Sequence, residues 1–224
     1  MLTPSTHWYT KPDTPIILLG DIDKSMLEPL AACVEGNLRE ERTRHFPEKF
    51  KGIHWHQFPF FFRTYSHKFK KLHPALTAKY FEEISEIYDV CEGIFTRVEE
   101  LNPGFSIYIA EINYMAPGTA IKPHIDNEDG SVWWFTMTKR VHVPITTNAD
   151  TIMTCGNMSM HMEIGSVYEF NNMVIHFGAN NGSSSRTHVV IDLIPTEYFD
   201  EFENYIRTIV WKKNKGWDIA WYQR

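Results

Sequence analysis

The hydrophobic period of this sequence changes at Asn102-Pro103-Gly104, and that change limits the folds open to it. Upstream, Leu76, Tyr80, Ile84, Ile87, Tyr88, Cys91, Ile94, Phe95, Val98 and Leu101 recur at spacings of three and four, while the glutamates fall elsewhere. That stripe predicts an amphipathic helix stopped by the Asn-Pro-Gly triplet. Downstream the period is two: Phe105, Ile107 and Ile109 alternate with Ser106, Tyr108 and Ala110. Further strands are expected at Ala120–Pro123, Arg140–Thr147, Ile152–Thr154, Met158–Met162, Val167–Phe170, Ile175–Ala179 and Arg186–Ile194. Turn signals such as Pro117-Gly118, Asn148-Ala149-Asp150, Gly156-Asn157 and Asn180–Ser185 separate them. Short strands at roughly even spacing predict a β-barrel or sandwich.

The rest of the chain reads as a frame for that barrel. Pro15–Leu19 is expected to be a strand, and Asp23 or Ser25 to cap a short helix through Met26, Leu27, Leu30 and Val34 as far as Gly36. Residues 37–74 are rich in aromatics and histidine without a clear period, and are expected to be mostly irregular with strand pieces. A helix is expected from about Thr196 to Val210, followed by an aromatic, basic tail. One domain spanning 1–224 follows: a lead-in at 1–75, a supporting helix at 76–102, a β core at 103–195, and a closing helix and tail at 196–224.

Composition excludes several function classes. The net charge of −6 disfavours a general nucleic-acid binder, which needs a broad basic face. The runs His67–Lys71 and Lys212–Lys215 read as solvated surface. Cys33, Cys91 and Cys155 are odd in number and far apart, match no zinc spacing, and read as small buried hydrophobes in a reducing compartment. No apolar run approaches a membrane span, and the N-terminus shows no secretory pattern. The expectation is a soluble cytoplasmic protein with no nucleic-acid or membrane partner; oligomeric state is not legible.

The chemistry begins with His124-Ile125-Asp126. On an extended strand, residues i and i+2 point to one side, so this pair can bind one ion together. Alone, such a triplet is weak evidence. His176, on another predicted strand, strengthens it, because two imidazoles and one carboxylate on one side of a metal leave open positions suited to non-haem iron(II). Arg186 heads the strand ten residues further on. An arginine inside a barrel needs an anion, and its planar fork matches a carboxylate. Arg140 and His142, again at i and i+2, offer a second polar pair, and Asn113 is in phase with Phe105, Ile107 and Ile109 and so predicted to face the same interior.

These residues fall in a longer pattern: Pro117-Gly118-Thr119, Pro123–Asp126, Arg140-Val141-His142-Val143-Pro144-Ile145, Gly165–Asn172, His176, Asn180 and Arg186–Asp192. The pattern resembles the aspartyl/asparaginyl β-hydroxylase family over about residues 105–195. The resemblance implies a mainly β fold with flanking helices, a double-stranded β-helix of the jelly-roll or cupin-like kind. It implies iron(II) and O₂, with 2-oxoglutarate as cosubstrate. Residues matching His124 and His176 bind iron in the family, the match of Arg186 pairs with the cosubstrate, and that of Arg140 lies nearby. The vertebrate namesake has glycine at the position of Asp126; shorter bacterial and phage-like members have aspartate, so a three-residue ligand set of His124, Asp126 and His176 is expected. The vertebrate protein's membrane anchor and helical repeats have no counterpart in this sequence.

Arg186, Arg140, Asn113 and His142 are thus the candidate 2-oxoglutarate residues. His188 and Asn180 are candidates for a supporting role, and Trp133 and Trp134 for a lid over substrate, with plain packing or turn chemistry as the alternative for each. Asn172 reads equally well as turn chemistry, and His161 as an ordinary surface or core histidine. The predicted activity is hydroxylation of an unactivated C–H on an amino-acid side chain, peptidyl (Asp, Asn or Pro) or free, with release of succinate and CO₂. Two other readings compete: a cupin-like metalloenzyme of another class, and a barrel that has lost catalysis and serves as a binding module.

Overall fold

The computed structural model describes residues 9–32, 34, 91–126 and 138–201, and the backbone of 55–62. Ten strands form two antiparallel sheets: β1 (Ile16–Asp21), β2 (Trp55–Phe62), β3 (Phe105–Met115), β4 (Thr119–Ala120), β5 (Lys139–Thr146), β6 (Thr151–Cys155), β7 (Met158–Met160), β8 (Ser166–Phe170), β9 (His176–Asn180) and β10 (Arg186–Pro195). The larger sheet has the order β1-β8-β5-β10-β3-β2 and the smaller β4-β9-β6-β7. This is the mainly β arrangement that the strand spacing predicted, in the double-stranded β-helix form that the family resemblance implied.

The central strands of the larger sheet present alternate residues to two environments. On β5 and β10, Val141, Val143, Ile145, Val189, Ile191 and Leu193 face outward into the main apolar core. There they meet Cys91, Ile94, Phe95 and Val98 from the helix at 91–101, and Leu27, Leu30 and Val34 from the N-terminal helical segment. Ile94 and Val98 are fully buried, and each such side chain contributes roughly 1.5–3 kcal/mol of transfer free energy. The helix ends where the sequence stops it. Asn102 Nδ2 donates to the Val98 carbonyl at 2.7 Å, and Gly104 takes φ +82°, a conformation that a side chain would strain. The intervening residues of β5 and β10 face the other way, toward the smaller sheet, and most are polar: Arg140 and His142, then Arg186, His188 and Asp192, with Val190 among them. The polar site therefore sits between the sheets, and the main apolar core lies behind the larger one.

Several local expectations change. Residues 55–62 form a full strand at the edge of the larger sheet. It is one of the strand pieces expected within 37–74; the register shifts between Pro59 and Phe61, and an edge strand tolerates a residue without an N–H. Asp23 does cap the first turn, with its side chain accepting from Ser25 N at 2.9 Å, but Lys24–Met26 is 3₁₀ and α-geometry begins only at residue 28. Asn113 reaches the interior by a different phase from the one predicted. A β-bulge at Tyr108, seen as the register step from Ile107↔Leu193 to Ile109↔Asp192, reverses the alternation. Ile107 consequently faces the outer core with Ala110 and Ile112, and Asn113 faces the site. Cys91 and Cys155 are buried, as expected, and Cys33 lies outside the described residues. After Pro195 the chain forms a 3₁₀ turn (Thr196–Tyr198) and enters a helix at 199–201; the remainder of the expected closing helix lies outside the described residues, as does 76–90 of the supporting helix.

Candidate metal centre

His124, Asp126 and His176 come together at one end of the barrel. Their nearest donor atoms lie within 4.8 Å of one another. The smaller sheet makes this possible: His124 and His176 form a β-bridge, exchanging backbone hydrogen bonds of 3.0 and 2.8 Å, so the two imidazoles project side by side with ring centroids 4.3 Å apart. Asp126 lies just past the bridge in a turn and not on a continuous strand, and its N–H donates to the Asn172 carbonyl at 3.1 Å.

The hydrogen-bond pattern fixes which atoms face the common point. His124 Nδ1 lies 2.8 Å from the Lys122 carbonyl and His176 Nδ1 2.9 Å from the Val174 carbonyl. A carbonyl only accepts, so each neutral ring carries its proton on Nδ1 and turns an Nε2 lone pair inward. Both Nε2 atoms stand 3.6 Å from the same Asp126 oxygen, Oδ1. The other oxygen, Oδ2, accepts from Arg140 Nη1 and from Asn172 Nδ2 at 3.0 Å. Two imine nitrogens and one carboxylate oxygen thus converge, each held from behind, which fits a divalent transition metal with open positions.

Electrostatics agree with that fit. Burial alone would raise the Asp126 carboxyl, but Arg140, His124, His176 and Asn172 outweigh it and hold the group well below the usual carboxylate range. Burial lowers His176, while the Asp126 carboxylate raises His124. Arg140 is itself fixed bidentately by Asp192, Nε to Oδ1 at 2.8 Å and Nη2 to Oδ2 at 2.7 Å. Burial opposes its charge, and Asp192 and Asp126 more than restore it. Its hydrogen bonds therefore run to two aspartates, where the sequence suggested a cosubstrate carboxylate.

Arg186 has the opposite situation. It is 1% exposed, and no carboxylate pairs with it among the described residues. Nη1 donates to Asn113 Oδ1 at 2.8 Å, Nη2 donates to His188 Nδ1 at 2.7 Å and touches Met153 Sδ at 3.2 Å, and Nε has no partner. Burial pushes this guanidinium down to about 9. A pocket with about 530 Å³ of empty space, its open mouth included, is lined by both Arg186 and the triad. Asn113, His142, Arg140, Glu111 and Phe170 complete its polar and aromatic walls. An arginine in such a pocket fits a carboxylate-bearing ligand.

The other predicted residues divide. His142 lines the pocket, with its Nδ1 3.3 Å from His188 Nδ1. His188 sits fully buried beneath Arg186. Asn180 is a structural bracket: its amide reaches the carbonyls of Met115, Ala116 and Ser184 and accepts from Asn148, Thr151 and Gly182, so none of it turns to the pocket. Trp133 and Trp134 lie outside the described residues. Sequence reasoning missed Asp192, Glu111 and Lys11 and left Asn172 as turn chemistry. Asp192 shares the strand parity of Arg186, which was an available signal; Lys11 had none.

The larger part of this chain aligns with known proteins. No curated protein sequence matches it. Among solved structures, AviO1 from Streptomyces viridochromogenes superposes with a TM-score of 0.52 at 9% identity, covering 81% of this chain and 90% of that one, a likeness of fold. A non-heme monooxygenase, the ThoJ–nickel complex, matches at a TM-score of 0.49 and 14% identity over 81% of this chain and 74% of its own. The viral collagen prolyl hydroxylase of Paramecium bursaria Chlorella virus-1, in complex with 2-oxoglutarate, matches at 0.46 and 10% identity over 82% and 97%. Residues 24–195 match the family described as aspartyl/asparaginyl beta-hydroxylase, a span that begins well before the motifs at 117–192. The chain belongs to the aspartyl/asparaginyl β-hydroxylase family, and is a 2-oxoglutarate-dependent oxygenase.

Proposed function

We propose that this protein hydroxylates an unactivated C–H bond of an amino-acid side chain, free or within a peptide, with iron(II) held by His124 Nε2, Asp126 Oδ1 and His176 Nε2. Iron(II) with 2-oxoglutarate and O₂ supplies the oxidising chemistry, consuming the cosubstrate to succinate and CO₂ as one oxygen atom enters the substrate. Everything else is positioning. Arg186 takes the distal carboxylate of 2-oxoglutarate, Asn113 and His188 orient its fork, and His142 contributes a pocket-facing ring. Arg140 holds Asp126 in place and keeps it ionised.

The observation that carries this reading is the buried Arg186 guanidinium in the same pocket as the convergent triad, with no acid among the described residues to pair it. A cupin-like enzyme needing no cosubstrate has no use for such a cation, and a barrel without catalysis has no use for a complete ligand set. The test is a screen of amino acids and short peptides for succinate formed from 2-oxoglutarate, with mass spectrometry for the gain of one oxygen atom. Succinate coupled to an oxygenated product is the expected result. Failure to bind 2-oxoglutarate in the metal-loaded protein, with no succinate from any substrate, would overturn it.

A further inference from the structure

We propose that the N-terminal strap is a working part of the metal centre, with Lys11 the positioning residue that, through Asn172, holds Asp126 to coordination by Oδ1 alone. This rests on the reading of His124, Asp126 and His176 as the metal site. It goes beyond the family relationship, because the matched region begins at residue 24 and Lys11 lies before it.

The strap crosses the barrel beside the segment that follows β8. Tyr9 Oη donates to Glu169, and its ring packs edge-on against Phe105 at 5.5 Å. Asn171 grips it twice, with Nδ2 donating to the Pro12 carbonyl at 3.0 Å and its own N–H to the Pro15 carbonyl at 2.9 Å. Between these fastenings the Lys11 ammonium turns inward. It donates to the Thr138 carbonyl at the head of β5 and to Asn172 Oδ1 at 2.6 Å, with the Tyr9 ring 5.6 Å away.

Asn172 is fully buried, and its side-chain amide has two unlike ends. An ammonium only donates, so Lys11 fixes Oδ1 toward itself and Nδ2 toward Asp126, where Nδ2 donates to Oδ2 at 3.0 Å. Without Lys11 the buried Oδ1 loses the donor that holds this end of the amide, and Asp126 alone is left to orient it. The direction of donation therefore runs Lys11 to Asn172 to Asp126, while a second arm runs from Asp192 through Arg140 to the same oxygen. With Oδ2 engaged by both arms, Oδ1 is the oxygen left facing both imidazoles. Burial pushes the Lys11 ammonium down to about 8, in keeping with a lysine drawn out of water to serve a buried partner.

The test uses the full-length, metal-free protein and Co(II), read by calorimetry and by the visible spectrum of the bound ion, so that no turnover is needed. Lys11→Met is expected to weaken Co(II) binding about 10- to 100-fold, the range for lost support of a metal ligand. It is also expected to alter the Co(II) spectrum as Oδ2 becomes available, and Lys11→Arg is expected to restore most of both. Because Lys11 acts through the amide, Lys11→Met added to Asn172→Leu should cost nothing further. The metal-free melting curve of each variant separates loss of the strap's packing from loss of ligand control. Wild-type affinity and spectrum in Lys11→Met, with binding lost in His124→Ala, would overturn the assignment to Lys11 alone. A full additional loss in the double variant would show that Lys11 acts by another route. Undiminished Co(II) binding in His124→Ala would overturn the metal site, and this proposal with it.

Discussion

Replacing Arg186 by methionine removes a buried charge that no acid among the described residues pairs. Burial pushes the guanidinium down from its usual value to about 9, an unfavourable effect on the order of 5 kcal/mol. Methionine fills a similar space beside Met153 and relieves that term. Against it stand two lost hydrogen bonds, to Asn113 Oδ1 and to His188 Nδ1, the latter keeping His142 Nδ1 at 3.3 Å, at roughly 1–3 kcal/mol each. The two effects nearly cancel, so urea unfolding of the ligand-free variant should stay within about 2 kcal/mol of wild type. Breaking a paired buried ion would instead cost about 3–5 kcal/mol. The ligand behaves differently. Truncating one member of a desolvated charge pair costs about 2–5 kcal/mol, so 2-oxoglutarate binding should weaken by roughly 30- to 5,000-fold. Calorimetry of 2-oxoglutarate into nickel-loaded protein without oxygen measures this directly. Nickel affinity itself should hardly move, because the triad is supported by Arg140, Asn172 and the carbonyls of Lys122 and Val174 and not by Arg186. A variant that keeps 2-oxoglutarate affinity, or that unfolds several kcal/mol more easily without ligand, would refute the view of Arg186 as a cation awaiting a carboxylate.

Three further outcomes are expected. His124→Ala and His176→Ala should each abolish uptake of iron(II) or a substitute ion, and full occupancy in the double variant by metal analysis would remove the site assignment. Asp126→Gly should weaken metal binding severely yet leave slow 2-oxoglutarate turnover that neither histidine variant shows; equal inactivity of all three would make the carboxylate as essential as the imidazoles. Stability should also fall in acid. Burial, with Arg186 and other nearby charges, holds His142 and His188 well below 6.5, so below that pH the unfolded chain binds protons that the native state refuses. The unfolding free energy should decline by up to about 1.4 kcal/mol per pH unit per histidine as pH drops from 7 to 5, and a flat profile in urea titrations would show that these rings accept protons in place.

The sequence by itself determined what depends on short-range periodicity. The alternation of Val141, Val143 and Ile145 with Arg140 and His142 and the stop at Asn102-Pro103-Gly104 are consequences of backbone geometry and delivered the β architecture, while the i, i+2 relation named His124 and Asp126 together although Asp126 reaches the site from a turn and not from a strand. Arg186 was legible for a similar reason, since an arginine within an apolar strand demands an anion whatever lies across from it. What the tertiary structure decided was the partner of each buried charge and the phase of each face. The bulge at Tyr108 put Asn113 into the site by reversing the very alternation used to predict it. The register of β5 on β10, pairing Arg140 with Asp192, gave that arginine Asp192 and Asp126 as partners, which spacing alone did not name. Lys11 entered the site from the far end of the chain, 161 residues from Asn172. Hydrogen bonds and ion pairs act over a few ångströms in space, and separation along the chain carries no record of them; only the packing of strap on sheet brings those residues together.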